Sequence, residues 1–120
     1  MVDPSPMYLV GIAHSVICVT TETMRQIERG GMQVRELAVH RAVSRVLLDL
    51  VVTMSPSRDH AFIAARDALL VQMTAYDAYL GLLAECDSDT AKQKRADYAE
   101  AHPQLTSALA ALDRLEHRSD

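Results

Sequence analysis

The chain has 120 residues, a length typical of one domain, and we predict a single domain over residues 1–120. Apolar residues make up 49% and charged residues 23%, which excludes a long disordered chain, and four Gly and four Pro are too few for an all-β protein with many tight turns. The formal net charge of −4 argues against non-specific nucleic-acid binding, which needs a cationic surface. We therefore expect no nucleic-acid partner.

We predict that residues 1–6 form a short irregular lead-in and that a first helix follows from Met7 to Arg29. Gly30-Gly31 should end this helix, because glycine adopts the left-handed conformation that closes helices. The β-branched run Val16–Thr21 would also suit a strand, but no second strand is evident to pair with it. The helix is favoured by residues that recur at three- and four-residue steps on one face, namely Leu9, Ala13, Val16, Thr20, Thr23 and Ile27.

A second helix is predicted over Gln33–Met54. Its expected core stripe consists of Val39, Val43, Val46, Leu50 and Met54. Further apolar residues surround the C-terminal half of this helix, which is typical of a central or interfacial helix: Leu47, Leu48, Val51 and Val52. Asp49 is the one charged residue within Val46–Val52, and Arg45, one turn earlier, is placed to pair with it.

Ser55-Pro56-Ser57 predicts a helix start, and the third helix should run from Pro56 to Glu85. Its seam steps by three and four residues, as in a helix packed on an antiparallel neighbour: Phe62, Ala65, Leu69, Met73, Tyr76, Leu80 and Leu83. After a break at Asp87–Thr90 we expect a last helix that is kinked or split at Pro103. Four helices with short connections predict an all-α antiparallel bundle.

Neither cysteine belongs to a CxxC pair, so we predict that Cys18 and Cys86 are buried free thiols in a reducing compartment. Residues 4–21 are uncharged, but the strongly apolar part, Met7–Val19, is short for a membrane span and contains His14. Asp3 stands where a signal peptide would carry basic residues. We expect a cytoplasmic protein with no membrane partner.

Charge is unevenly placed along the chain. Residues 22–45 hold five Arg against three Glu, whereas residues 77–100 hold six acidic against three basic residues. Solvated helix faces are the favoured explanation, because exposed ion pairs contribute only about 0–1 kcal/mol each. Pairing of the two segments, within the chain or across a dimer, is the alternative.

Two residue pairs are candidates for chemistry. His14 and Cys18 have the spacing of ligands for a soft metal such as zinc, although two more ligands are needed and a buried histidine is the favoured interpretation. The run Arg35–His40 resembles the Arg-x4-His motif of HEPN ribonucleases, which are all-helical and of this size. That resemblance covers six residues, departs from the family at Glu36, and implies an Arg and a His acting on RNA phosphodiesters across a dimer. A HEPN-like ribonuclease or a metal-dependent helical enzyme is thus an alternative, and we expect no catalytic residue, metal or cofactor.

The first two helices carry more apolar surface than one side of a four-helix monomer needs, and large apolar patches mark interfaces. We predict a partner or dimer interface formed by Val10, Ile17, Met24, Leu47, Leu48, Val51, Val52 and Tyr79. Two-fold dimers are the commonest oligomers. The sequence therefore predicts a non-enzymatic homodimer that sequesters a partner protein, as a regulatory inhibitor or anti-activator does. A secretion chaperone or an immunity protein would act by the same occlusion.

Overall fold

The computed structural model describes the backbone of residues 5–30, 33–53 and 60–118, and the side chains of residues 8–30, 33, 35–53 and 60–114. Four helices follow one another in these ranges: α1 (Ser5–Glu28), α2 (Val34–Thr53), α3 (His60–Ala84) and α4 (Ser88–Arg118). The described chain is about twice as long as it is wide, with extents of 49 × 23 × 19 Å. The predicted all-α bundle of four helices is confirmed.

Where the structure describes the helix ends, they coincide with the turn-forming residues of the sequence. α1 begins at Ser5, so the lead-in is shorter than predicted, and Pro6 falls in the first turn, where its missing N–H costs nothing. Gly30 has φ +76° and donates its N–H to the carbonyl of Ile27 at 2.9 Å, as predicted for a glycine helix end. Gly31 and the predicted start of α3 at Pro56 lie outside the described residues.

The turn between α3 and α4 is short because Asp87 forms hydrogen bonds both to the end of α3 and to the start of α4. Cys86 is left-handed (φ 62°) and donates its N–H to the Leu83 carbonyl at 3.1 Å, while Asp87 donates its N–H to the Leu82 carbonyl at 2.9 Å. The Asp87 carboxylate then accepts the N–H of Thr90 at 3.1 Å and caps α4. This turn sends α4 back along α3, and these two helices form the closest packed pair of the bundle.

α4 passes through Pro103 as one unbroken helix, so of the two expected arrangements the split into two short helices does not occur. Pro103 lacks the N–H that would bond to the carbonyl of Ala99. Both residues are exposed, and water can satisfy that carbonyl. The interruption therefore costs less than it would on a buried face.

Two buried clusters follow one another along the bundle. The first joins Leu9 near the start of α1, Val51 near the end of α2 and Phe62 near the start of α3, which shows that successive helices alternate in direction. The second joins Met24 of α1 to Tyr76 of α3 and their neighbours at the other end. The predicted core stripes of α1 and α3 are confirmed, because all their members are buried except the partly buried Ile27 and Leu83.

α2 is rotated away from the orientation that its apolar stripe predicts. Four of the five predicted core residues are 48–68% exposed, namely Val39, Val43, Val46 and Leu50, and Met54 lies outside the described residues. α2 instead packs on α3 through Leu37, Ser44 and Val51, which are buried. The predicted core face of α2 is therefore wrong.

Charged contacts between α2 and α3 favour this orientation. Arg41 Nε lies 3.2 Å from Asp77 Oδ1, and Arg45 Nε lies 3.4 Å from the same oxygen. The Arg41 guanidinium rests on Gly81, where an added Cβ would approach its Cζ to 2.8 Å. Arg45 thus pairs with Asp77 and not with Asp49, and part of the predicted charge pairing occurs within the chain.

α1 is held on the α3–α4 pair by hydroxyl groups and one ion pair. The Thr20 hydroxyl donates to the Val16 carbonyl at 2.8 Å and therefore accepts from the Tyr98 hydroxyl, 2.5 Å away. Arg95 Nε lies 3.0 Å from Glu28 Oε1, and its guanidinium stands 5.6 Å from the centre of the Tyr98 ring. These contacts fix the second half of α1.

Both cysteines are free and exposed, so the prediction of buried thiols is wrong. Cys18 lies on the outer side of α1, because the inner side is occupied by Ala13, Val16 and Thr20. Cys86 is exposed because it occupies the α3–α4 turn. No helix within the described ranges is long and apolar enough to span a bilayer.

The left-handed backbone at Cys86 leads to a stability prediction. Because a residue with a Cβ is strained at φ 62°, we expect Cys86→Gly to raise the free energy of unfolding by about 1 kcal/mol. Urea denaturation followed by circular dichroism measures the change. Cys86→Ala removes the thiol and keeps the Cβ, so it should give no gain. An equal gain from both variants would show that the backbone conformation is not the cause.

Candidate protein-interaction surface

The outer face of α2 carries a continuous apolar strip, which we call the α2 ridge: Val39, Val43, Val46 and Leu50. The spacing of these residues is four, three and four, which is the spacing of a coiled-coil seam. Leu37, Ser44 and Val51, which pack on α3, lie on the opposite side of the same helix. The ridge therefore points away from the protein's own core.

A groove runs beside the ridge between α1 and α2. α1 packs on α3 and α4, whereas α2 packs on α3, so the two helices stand apart on the surface. Tyr8 and Val19 form the α1 rim of this α1–α2 groove and are 64% and 49% exposed. The remaining residues that line it are Gly11, Ile12, Ser15, His40, Val43 and Leu47.

A small cavity of about 20 Å³ lies under the groove, near Val19 and Val43. This is the volume that one water molecule needs. The Ser44 hydroxyl lines the cavity and is buried with no hydrogen-bond partner among the described residues. His40 is one turn earlier on the same helix and does not bond to that hydroxyl.

Among the described residues, the ridge and the groove lining contain no Asp, Glu, Lys or Arg. Nearby charges are used elsewhere, since Arg41 and Arg45 both pair with Asp77. Depletion of charge with enrichment of apolar and tyrosine side chains is the composition of an interface centre. This surface is suited to binding an apolar surface of another protein.

Three of the eight predicted interface residues are not on the surface. Met24, Val51 and Tyr79 are 0–6% exposed, because they fill the protein's own core, and this part of the prediction is corrected. Four others are partly buried against the first core cluster: Val10, Ile17, Leu47 and Leu48. Val52 is 54% exposed but lies off the ridge.

Sequence reasoning assigned the α2 ridge to the core because it followed the strongest apolar pattern. A weaker pattern runs through the same helix with four- and three-residue steps: Leu37, Arg41, Ser44, Leu48 and Val51. That second pattern contains an arginine and a serine, so apolar periodicity alone does not favour it. The signal that identifies it is the pair of arginines one turn apart, which needs a carboxylate on the neighbouring helix.

Within the described part of a single chain, the residues of the alternative sites are not brought together. His14 is exposed and not buried as expected, and it lines a cleft of about 420 Å³ between α1 and α4 with His102 on the other wall. Among the described residues, no three His, Cys, Asp or Glu side chains are placed to hold one metal ion. Arg35 is exposed and His40 half-buried, and five residues separate them by about 140° around the helix.

Burial raises the pKa of two core tyrosines. Desolvation raises the pKa of Tyr76 above its ordinary value of 10.0, against the opposing effect of a hydrogen bond with Thr23. Desolvation also raises the pKa of Tyr79, and the nearby carboxylate of Glu28 adds to the rise. Both phenols are held neutral and contribute to packing.

Comparison of the chain with protein-family models, with curated proteins and with solved structures found no match.

The raised pKa of Tyr76 gives a prediction for alkaline stability. Because the folded-state pKa exceeds the unfolded-state value, the stabilising effect is complete below pH 10 and is lost as pH rises through the folded-state pKa. We expect the urea midpoint to fall above about pH 10, and to fall less steeply in Tyr76→Phe. A Tyr76→Phe profile identical to wild type would contradict this account.

Proposed function

We propose that this chain is a non-enzymatic interaction protein that binds a partner protein through the α2 ridge and the α1–α2 groove. The bound partner loses access to its own apolar surface, so the chain acts as a regulatory inhibitor. A homodimeric state in the absence of the partner is part of the proposal. A secretion chaperone or an immunity protein acts by the same occlusion and shares the surface chemistry.

The observation that carries the proposal is the exposure of six apolar side chains on one uncharged region. The four ridge residues are joined across the groove by Tyr8 and Val19. Leaving such a patch in water is unfavourable, and monomeric proteins rarely expose large contiguous apolar areas unless they serve binding.

The shape of the surface favours a helical binding partner. A groove between two helices accepts an amphipathic helix, whose apolar residues at three- and four-residue steps enter it. Tyr8 at the rim supplies a large contact area with few rotatable bonds. The ridge beside the groove extends the contact to one flank of the incoming helix.

A site-specific photo-cross-linker tests this proposal in the native host. We expect benzoyl-phenylalanine in place of Val46, which is 68% exposed on the ridge, to form adducts with a protein other than this chain. Mass spectrometry of the adducts identifies the protein. We expect these adducts because a cross-linker at the centre of a binding surface lies within reach of the protein that covers it.

The matched control places the same cross-linker at Val71, which is 59% exposed on α3 and belongs to neither the ridge nor the groove. Val71 should give no reproducible foreign adduct. If Val46 forms adducts only with copies of this chain, or with the same proteins as Val71, the proposal that this surface captures a partner is wrong.

A further inference from the structure

We infer that, in the absence of a target, the α2 ridge is covered by the α2 ridge of a second copy of this chain, in an antiparallel arrangement about a two-fold axis. This inference rests on the proposed function, because it concerns the same surface. It also specifies the occupant, the relative direction of the two helices and the residues that meet.

The first argument is that the ridge can pair with itself. Its residues repeat at four, three and four positions, and such a seam packs side by side with an identical helix. In the antiparallel register centred between Ser44 and Arg45, Val43 meets Val46 of the second copy. Val39 then meets Leu50 of the second copy, so every ridge side chain is covered by another.

The second argument is the charge beside the ridge. Arg35 and Asp49 are both exposed and, by their helical positions, lie on the flank that faces away from the groove. Antiparallel packing brings the Arg35 end of one α2 towards the Asp49 end of the other. In parallel packing, Arg35 of one copy would lie about 21 Å along the helix axis from Asp49 of the other, so this attraction would be lost. The charges therefore favour the antiparallel direction.

The third argument is area. The four ridge residues together with Tyr8 and Val19 expose on the order of 500 Å² per copy, hence on the order of 1,000 Å² for two copies. A stable interface buries roughly 1,200–2,000 Å² in total, including its polar rim. The apolar surface present here falls just below that range, which fits a weak two-fold dimer.

Antiparallel pairing also accounts for the rim of the groove. In an antiparallel helix pair with a two-fold axis, the equivalent flanks of the two helices lie on the same side of the plane that contains both helix axes. His40 and Leu47 lie on the flank of α2 that faces α1, so both α1 helices lie on one side of the paired ridges. Tyr8 and Val19, exposed on α1, then face the second copy and not water.

Light scattering behind a sizing column, over a concentration series, tests self-association. We expect a mass near twice 13.2 kDa, and we expect Val46→Asp to weaken the dimer at least about 100-fold because the charge enters the seam twice. Val71→Asp, at a similarly exposed position outside the ridge, should leave the dimer unchanged. Unchanged helicity of Val46→Asp in circular dichroism shows that its fold is intact. A monomer at all concentrations, or a dimer insensitive to Val46→Asp, overturns the inference.

Engineered disulfides test the direction of the helices. In a Cys18→Ser, Cys86→Ser background, we expect a mixture of Val39→Cys and Leu50→Cys chains to form the mixed disulfide dimer, and neither chain alone to cross-link. In the antiparallel register, two copies of position 39 are about 16 Å apart along the helix axis, too far for a disulfide. Cross-linking of Val39→Cys with itself would indicate parallel packing and overturn the inference.

The capture of a partner and the formation of the dimer can be contradicted independently of each other. A chain that remains monomeric but forms foreign adducts at Val46 contradicts the dimer and supports partner capture. A chain that dimerises through the ridge but forms adducts only with itself supports the dimer and contradicts partner capture.

Discussion

One contact marks the side of α2 that faces α3, in which the Arg41 guanidinium rests on Gly81 and bonds to Asp77. Any side chain at position 81 would occupy the space of the guanidinium, so the missing Cβ makes room for it. Arg45 pairs with the same carboxylate one turn later, which fixes the helix at two points. Turning α2 to bury its valines would expose Leu37 and Val51 and would separate Asp77, a half-buried group, from both arginines.

The groove follows from the separate attachment of the first two helices. α1 is fixed to α4 through the Thr20–Tyr98 hydrogen bond and the Glu28–Arg95 ion pair, whereas α2 is fixed to α3 through Asp77. Neither set of contacts draws α1 and α2 together. The space between them therefore stays open at the surface, and the tight α3–α4 pair supports both of its walls.

The sequence was sufficient to predict the helices and the inner faces of α1 and α3, because there the apolar period coincides with the buried side. It was insufficient for α2, where two periodic patterns compete and a polar contact selects the less apolar one. Arg41 and Asp77 are 36 positions apart, and their pairing depends on tertiary packing that local periodicity does not encode. Met24, Val51 and Tyr79, which we predict at the interface, are also buried, because apolar spacing alone does not distinguish a core face from an interface.

The same rotation sets how strongly the surface can bind. The α2 ridge alone is smaller than the roughly 800 Å² per partner of a standard interface, and association costs about 4–15 kcal/mol in lost translational and rotational freedom. A dimer that buries only the ridge and the groove rim, and that forms few charge contacts, gains little binding free energy beyond that cost. We expect the copies of such a dimer to separate readily, so that a target with a longer apolar helix would displace one copy from the other. The proposed inhibition by occlusion requires this behaviour, because the surface has to stay covered until the target is present.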